Sequence, residues 1–370
     1  MSAGTRRPLS VVLAGGGSAG HVNPLLATAD ALRRHVPDVT IGVLGTAEGL
    51  EARLVPARGY ELTVVPKVPF PRRPGPGLVR FPGSLRRAVG TALAAVRGAD
   101  ADVVVGFGGY VSTPAYLAAR RAGVPIVIHE QNARPGLANR LGARFTRRVA
   151  TTFESTRLPH ATTVGLPLRE EIRGLDRDAL RAEALAEFGL DEGRPTLLVF
   201  GGSLGAQRIN QALAGAAGDL LAAGVQVLHL TGAGKDVVVA AGEPGSARYV
   251  ALPYTDRMDL AYALADLAVC RSGAGTVCEL AAVGVPAVYV PLPVGNGEQR
   301  LNAAGVVAAG GGTLVEDARV DADWVRAEVV PLVTDRDRLA RMAHAAAGHG
   351  QRDAADRLVA LILEAAGHQG

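Results

Sequence analysis

Short apolar runs alternate with amphipathic ones along the whole chain, and glycine sits at most of the joints. Val11–Ala14 reads as a buried strand, followed by glycines and then by Pro24–Arg34, where Leu25, Ala29 and Leu32 recur at helical spacing. Thr40–Leu44, Val103–Gly106 and Pro125–His129 predict further strands. A helix is predicted from Thr113-Pro114, where proline suits a first turn. The plan then restarts. Thr196–Phe200 predicts a strand, and Ile209–Leu221 predicts one helix with Ile209, Ala212, Leu213, Ala216 and Leu220 on a face; Val225–Thr231, Leu267–Cys270 and Ala287–Val290 are later strands. Such alternation predicts the α/β class, with two doubly wound parallel-sheet domains. The division is expected near Thr163–Arg169, giving residues 1–164 and 165–349, with a terminal helix in 350–370 expected to pack back on the first domain.

A length of 370 residues accommodates two such domains, and 48% hydrophobic residues exclude a disordered chain. Two cysteines, Cys270 and Cys278, exclude a disulfide framework and a Cys-rich zinc site, so reduced thiols in a cytosolic protein are expected. Met1–Ser10 leads into a strand rather than a signal peptide. Leu280–Gly297 is uncharged, but Gly284, Pro286, Pro291 and Pro293 divide it, which argues against a membrane span. The net charge of +4 is concentrated: from Leu62 to Ala99 no acidic residue faces Lys67, Arg72, Arg73, Arg80, Arg86, Arg87 and Arg97. Phe70, Leu78, Val79, Phe81 and Leu85 interleave with these charges, a pattern suited to an anionic membrane surface. Nucleic acid is not expected, because 4% aromatic content leaves few stacking platforms.

Several strand-to-helix joints could carry chemistry. Gly15-Gly16-Gly17-Ser18-Ala19-Gly20-His21 matches GxGxxG, a loop whose N–H groups can approach a phosphate at a helix N-terminus. Gly201-Gly202-Ser203-Leu204-Gly205 repeats that arrangement in the second half. Gly106–Ser112, with Gly108, Gly109 and Tyr110, is a third glycine turn, whose N–H groups could meet a second phosphorylated substrate. Ser272–Glu279 leads from a strand into a helix. There Glu279 is either a carboxylate favoured by the helix dipole or a group bridging a ribose diol. His129-Glu130-Gln131-Asn132 places four polar groups after an apolar run, and Glu298–Asn302 could read sugar hydroxyls. The DxD pairs lie at strand starts or among arginines, so no metal site and no cofactor are expected.

Taken together, the first glycine loop with His21, GFGGYVS, HEQN, GGSLGA, SGAGTVCE and EQRLNA resemble the MurG family over nearly the whole chain. The resemblance implies a GT-B fold, two Rossmann-like domains facing across a cleft, with acceptor and membrane on the N-terminal side and the donor on the C-terminal side. It implies inverting, metal-independent transfer of N-acetylglucosamine from UDP-N-acetylglucosamine to the muramyl 4-hydroxyl of lipid I, giving lipid II. It also implies a peripheral enzyme at the cytoplasmic face of the bacterial cell membrane. By the same resemblance Ser18, Ala19, Gly20, Asn132, Arg169 and Ser203 lie at the donor, with Ala274, Gly275, Thr276, Val277, Cys278 and Glu279 on diphosphate and ribose. Thr255 then borders the uracil, and Gln299 meets the sugar hydroxyls. Glu298 replaces a glutamine common in the family, Leu166 replaces an asparagine, and the first loop is one glycine longer.

His21 is the expected general base, since an imidazole titrates near neutrality, and Glu130 is the second candidate. Two other classes stay open on the residues alone. One is a nicotinamide-dependent oxidoreductase using the first loop with Glu48 as its ribose acid. The other is a non-enzymatic nucleotide-sugar sensor.

Overall fold

The structure, a computed structural model, describes residues 7–70, 76–202, 206–239 and 245–368. The chain divides into two compact units, one of residues 1–169 with 353–370 and the other of residues 170–352. The division lies after Arg169, and Val164, just beyond the last strand of the first sheet, still belongs to that unit's apolar cluster.

The first unit holds seven strands: β1 (Ser10–Ala14), β2 (Thr40–Gly45), β3 (Glu61–Val64), β4 (Val103–Gly106), β5 (Ile126–Glu130), β6 (Val149–Thr151) and β7 (Ala161–Thr163). They pair in the order β3-β2-β1-β4-β5-β6-β7, parallel throughout. Successive residues of β1 serve opposite faces. Val11 and Leu13 join one apolar cluster, which also takes in the helix Ala19–His35 and the last helix, Ala354–Ala365. Val12 and Ala14 join the other, built with the helices Pro76–Gly98 and Ser112–Ala122. Both faces are therefore covered, as an all-parallel sheet requires.

The second unit repeats this with β8 (Thr196–Phe200), β9 (Gln226–Leu230), β10 (Tyr249–Leu252), β11 (Leu267–Cys270), β12 (Ala287–Tyr289) and β13 (Gly312–Leu314). Their order is β10-β9-β8-β11-β12-β13, again parallel. The single helix expected over Ile209–Leu221 is instead two, Gln207–Gly215 and Ala217–Ala222, broken at Ala216 (φ −111°, ψ 12°). Gly215 is a weak helix former, and it packs closely on Ala322. In each sheet the order in which strands are added reverses between two central strands, β1 and β4 in the first and β8 and β11 in the second, while every strand keeps the same direction. Ligands of open α/β sheets bind beyond the carboxyl ends of the strands at such a switch point. Four of the glycine-rich joints follow those four strands.

Candidate active site

In the first unit the turns after β1 and β4 close on each other. Gly108 (φ +87°) and Gly109 (φ +79°) adopt conformations that favour glycine, and a Cβ on Gly109 would lie 2.5 Å from the Gly16 carbonyl oxygen. The His21 ring, half-buried, stacks its edge on Gly108, lies 3.0 Å from Ser18 Oγ through Nδ1, and hydrogen-bonds to the Gly16 carbonyl. Burial holds this imidazole below its ordinary value, although the Glu51 charge and the Gly16 bond pull the other way. It is thus neutral, and able to take a proton, at neutral pH. Ser18 and Gly20 are exposed at the start of the helix Ala19–His35, and Ala19 is half-buried.

The first loop departs from the sequence expectation. Its Gly17 N–H does not await a phosphate; it donates to Glu51 Oε2 at 2.8 Å, and Glu51 is fully buried. Glu48, the residue a dinucleotide reading would need, is exposed. The carboxylate takes the Gly17 N–H that the oxidoreductase alternative would offer to a dinucleotide's pyrophosphate. Sequence reasoning missed Glu51 because its partner is 34 residues away; the signal was a second acidic residue just past β2.

Glu130 is also committed. Its carboxylate accepts from Asn132 N–H (3.0 Å), Gly136 N–H (3.0 Å) and Asn139 Nδ2 (2.9 Å). Burial raises its pKa against those donors. This geometry makes Glu130 the anchor of the loop that carries Asn132, in place of the expected role as second base. His129 points inward: Nε2 donates to the Gly165 carbonyl (2.8 Å), Nδ1 accepts from Gln131 Nε2 (3.1 Å), and burial depresses its pKa to about 4. Tyr116 completes the cluster through Asn139 Oδ1 at 2.7 Å. Tyr110 is 43% exposed with Lys67 Nζ 5.3 Å from its ring, so it faces outward beside Gly108 and Gly109.

In the second unit the helix Ala274–Val283 begins at Gly273 with no side-chain cap. Ala274, Gly275 and Thr276 present N–H groups that have no carbonyl within the helix, at its positive end. Val277 is buried, while Cys278 and Glu279 are half-buried. Burial pushes the Cys278 thiol well up, which keeps it protonated. Glu279 Oε2 accepts from the buried Tyr262 hydroxyl at 2.8 Å. Arg271 locks the neighbouring loop: Nη1 donates to the Val290 and Pro291 carbonyls (3.2 Å each), and Nη2 pairs with Asp317 at 2.7 Å. Asn302 Nδ2 reaches the Ser272 carbonyl (3.3 Å), and Gln299 Oε1 accepts from Leu292 N–H (2.9 Å). Thr255, half-buried after β10, accepts from Arg257 N–H (3.0 Å). A cavity of about 820 Å³ in this unit lies at the opposite sheet edge, around Arg177, Arg181 and Asp266, away from all these groups.

Two sequence families match the chain: the glycosyltransferase family 28 N-terminal domain over residues 11–151 and the family 28 C-terminal domain over residues 196–358. A UDP-N-acetylglucosamine–N-acetylmuramyl-(pentapeptide) pyrophosphoryl-undecaprenol N-acetylglucosamine transferase of Leifsonia xyli is 62% identical over 95% of this chain and 97% of its own. The Mycolicibacterium smegmatis protein of that name is 56% identical, over 97% of this chain and 95% of its own. The crystal structure of Acinetobacter baumannii MurG superposes with a TM-score of 0.78 at 29% identity, covering 96% of this chain and all of that one. The chain belongs to glycosyltransferase family 28 and, within it, to the MurG family.

As a MurG-family glycosyltransferase of the α/β, GT-B class, it carries its candidate residues in two groups. The first unit brings together Ser18, Ala19, Gly20, His21, Gly108 and Gly109, with Asn132 on the next loop. Arg169, half-buried, is the last residue before the second unit. The second unit gathers Ala274–Glu279 and Gln299 around the Ser272 loop, and Thr255 stands after β10. Ser203 lies outside the described residues, as do Arg72 and Arg73. Among the described residues no group of three His, Cys, Asp or Glu side chains could hold a metal ion, and no helix is long and apolar enough to cross a membrane.

Proposed function

We propose that this enzyme transfers N-acetylglucosamine from UDP-N-acetylglucosamine to the 4-hydroxyl of the muramyl residue of lipid I, giving lipid II, with inversion and without a metal ion. The observation that carries this reading is the 62% identity, over 95% of the chain, to a transferase named for that reaction. Inversion requires one in-line displacement: the acceptor hydroxyl attacks the anomeric carbon, its proton leaves to a base, and UDP departs from the opposite face. His21 is the base, because it is neutral and lies at an exposed helix start beside Ser18. The Ala274, Gly275 and Thr276 N–H groups, with Arg169 and Ser203, receive the negative charge of the leaving diphosphate; losing one such donor costs ~10²–10³ in rate. Glu279 binds the ribose diol, Thr255 borders the uracil, Gln299 reads the sugar, and Gly108, Gly109 and Tyr110 take the acceptor diphosphate.

A lipid-linked acceptor calls for docking at the cytoplasmic membrane surface, and the 67–97 segment supplies it. Phe70 is 63% exposed and meets Phe81 edge-on at 5.5 Å, while Arg80, Arg86 and Arg87 are exposed along the helix Pro76–Gly98.

A radiolabelled transfer assay with a soluble lipid I analogue, run in EDTA, tests the reading. Transfer from UDP-N-acetylglucosamine, with far slower transfer from UDP-glucose, is the expected result. Absence of transfer both in EDTA and with added magnesium overturns the substrate assignment. Activity lost in EDTA and restored by magnesium overturns metal independence.

A further inference from the structure

Glycine-rich joints in this fold class hold phosphates because their N–H groups converge on a small space that only an anion fills well. The first joint of this chain already contains an anion. Glu51, the first residue of the helix Glu51–Ala57, has no exposed surface. Its Oε2 accepts from Gly17 N–H at 2.8 Å; its Oε1 accepts from Thr46 N–H at 2.9 Å and from the Thr46 hydroxyl at 2.7 Å. The walls of this space are glycines. A Cβ on Gly16 would lie 2.2 Å from Oε1, one on Gly49 2.0 Å from Oε2, and one on Gly45 2.5 Å from Cγ. No side chain larger than hydrogen fits at those three positions while the carboxylate is present.

The bonds reach the proposed reacting groups. Glu51 fixes Gly17, and the adjoining Gly16 presents its carbonyl to the His21 ring on one side and to Gly109 on the other. The turns after β1 and β2 therefore meet around one buried carboxylate, and the turn after β4 packs on the Gly16 carbonyl beside it. Burial alone would raise the pKa of Glu51, but the Gly17 and Thr46 donors outweigh it and hold the group below its ordinary range. It is charged at neutral pH, and a second anion brought to the same N–H groups would be repelled.

We propose that Glu51 is a resident anion that fills the phosphate-sized cradle of the first glycine turn and acts as the positioning residue for His21. Neither substrate's phosphate occupies the Gly15–Gly17 side of that loop; only its far side, Ser18–Gly20, faces a substrate. The proposal rests on the glycosyl-transfer reading above, in which His21 takes the acceptor proton.

The test compares steady-state kinetics of the wild-type enzyme with those of Glu51→Gln, Glu51→Ala and Thr46→Val. Glu51→Gln keeps the shape but turns one acceptor into a donor aimed at an N–H. Its kcat should fall ~10²-fold, the cost of a small displacement of a reacting group, with KM for UDP-N-acetylglucosamine within about threefold of wild type. Glu51→Ala should lose as much and regain part of its kcat on addition of formate, which can refill the cradle. A Glu51→Gln enzyme with wild-type kcat overturns the proposal, and so does a loss confined to KM or a Glu51→Ala enzyme that formate leaves unchanged. Should the Glu51 variants fail to fold, Thr46→Val decides: a several-fold fall in kcat at unchanged KM supports the proposal, and an unchanged kcat overturns it. Wild-type turnover in the same assay separates the two readings, because its absence strikes the glycosyl-transfer assignment and leaves the Glu51 contacts as they are.

Discussion

Glu48 and Glu51 lie three residues apart, yet one is exposed and the other wholly buried among glycines. Glu130 and Glu279 also differ in burial: the first is buried among donors from Asn132, Gly136 and Asn139, while the second is half-buried and accepts from the Tyr262 hydroxyl through Oε2. A hydrogen bond to a charged group contributes about 1.5–3 kcal/mol. Tyr262→Phe removes that bond from a carboxylate that water can still reach, so about half of the smaller figure, ~0.7 kcal/mol, should pass to the ligand and weaken UDP binding about threefold, measured by isothermal titration calorimetry. Unchanged affinity would remove Tyr262 from the donor site. The sequence made Glu279 visible through the glycine turn, Gly273–Gly275, that precedes it. It could not make Tyr262 visible, because that bond spans 17 positions and joins two helices. Glu51 was hidden for the same reason. Residues that act beside a local motif can be read from a sequence; residues that act on one from another element cannot. Glu130 was read as reactive because a carboxylate after an apolar strand is unusual, and only the geometry of Gly136 and Asn139 assigns it to holding a loop.

Strands with buried faces on both sides announce themselves as apolar runs. β1, β4, β5, β8, β11 and β12 are of this kind, and the alternation around them was enough to give the α/β class. The outer strands were not legible. β3, β7 and β10 each expose residues. β6 and β13 are three residues long and follow Arg147-Arg148 and Gly310-Gly311, whereas β12, equally short, sits inside the apolar run Val285–Val290. The terminal helix was legible by its stripe, and its packing gives an element-scale prediction. Leu358 is fully buried in the cluster shared with the helix Ala19–His35, so Leu358→Ala should cost about 2–5 kcal/mol. Urea unfolding should show that loss in the transition of the first unit. An unshifted transition would mean that the helix is dispensable for that unit.

At the scale of the molecule, charge is the property that singles out one region. The 67–97 segment carries basic groups without an acidic residue, and Arg80, Arg86 and Arg87 are exposed on it. Each basic group near an anionic leaflet contributes about 1 kcal/mol, so reversing these three to Glu should lower binding to phosphatidylglycerol vesicles by at least ~10²-fold. Co-sedimentation measures this, and equal sedimentation of variant and wild type would exclude the segment as the docking surface. Turnover with a soluble acceptor should be preserved, since none of the three lies among the groups assigned to transfer.

The helix Ala354–Ala365 belongs to the first unit although residues 170–352 intervene. A ribosome therefore delivers the last piece of that unit only after the whole of the other has emerged, roughly 10–40 s later at ordinary elongation rates. During that interval the unit formed by contiguous sequence can complete itself, while its predecessor waits with an uncovered apolar stripe. The order of synthesis and the order of completion are reversed, and the nascent chain is most exposed to chaperones and aggregation on the side made first.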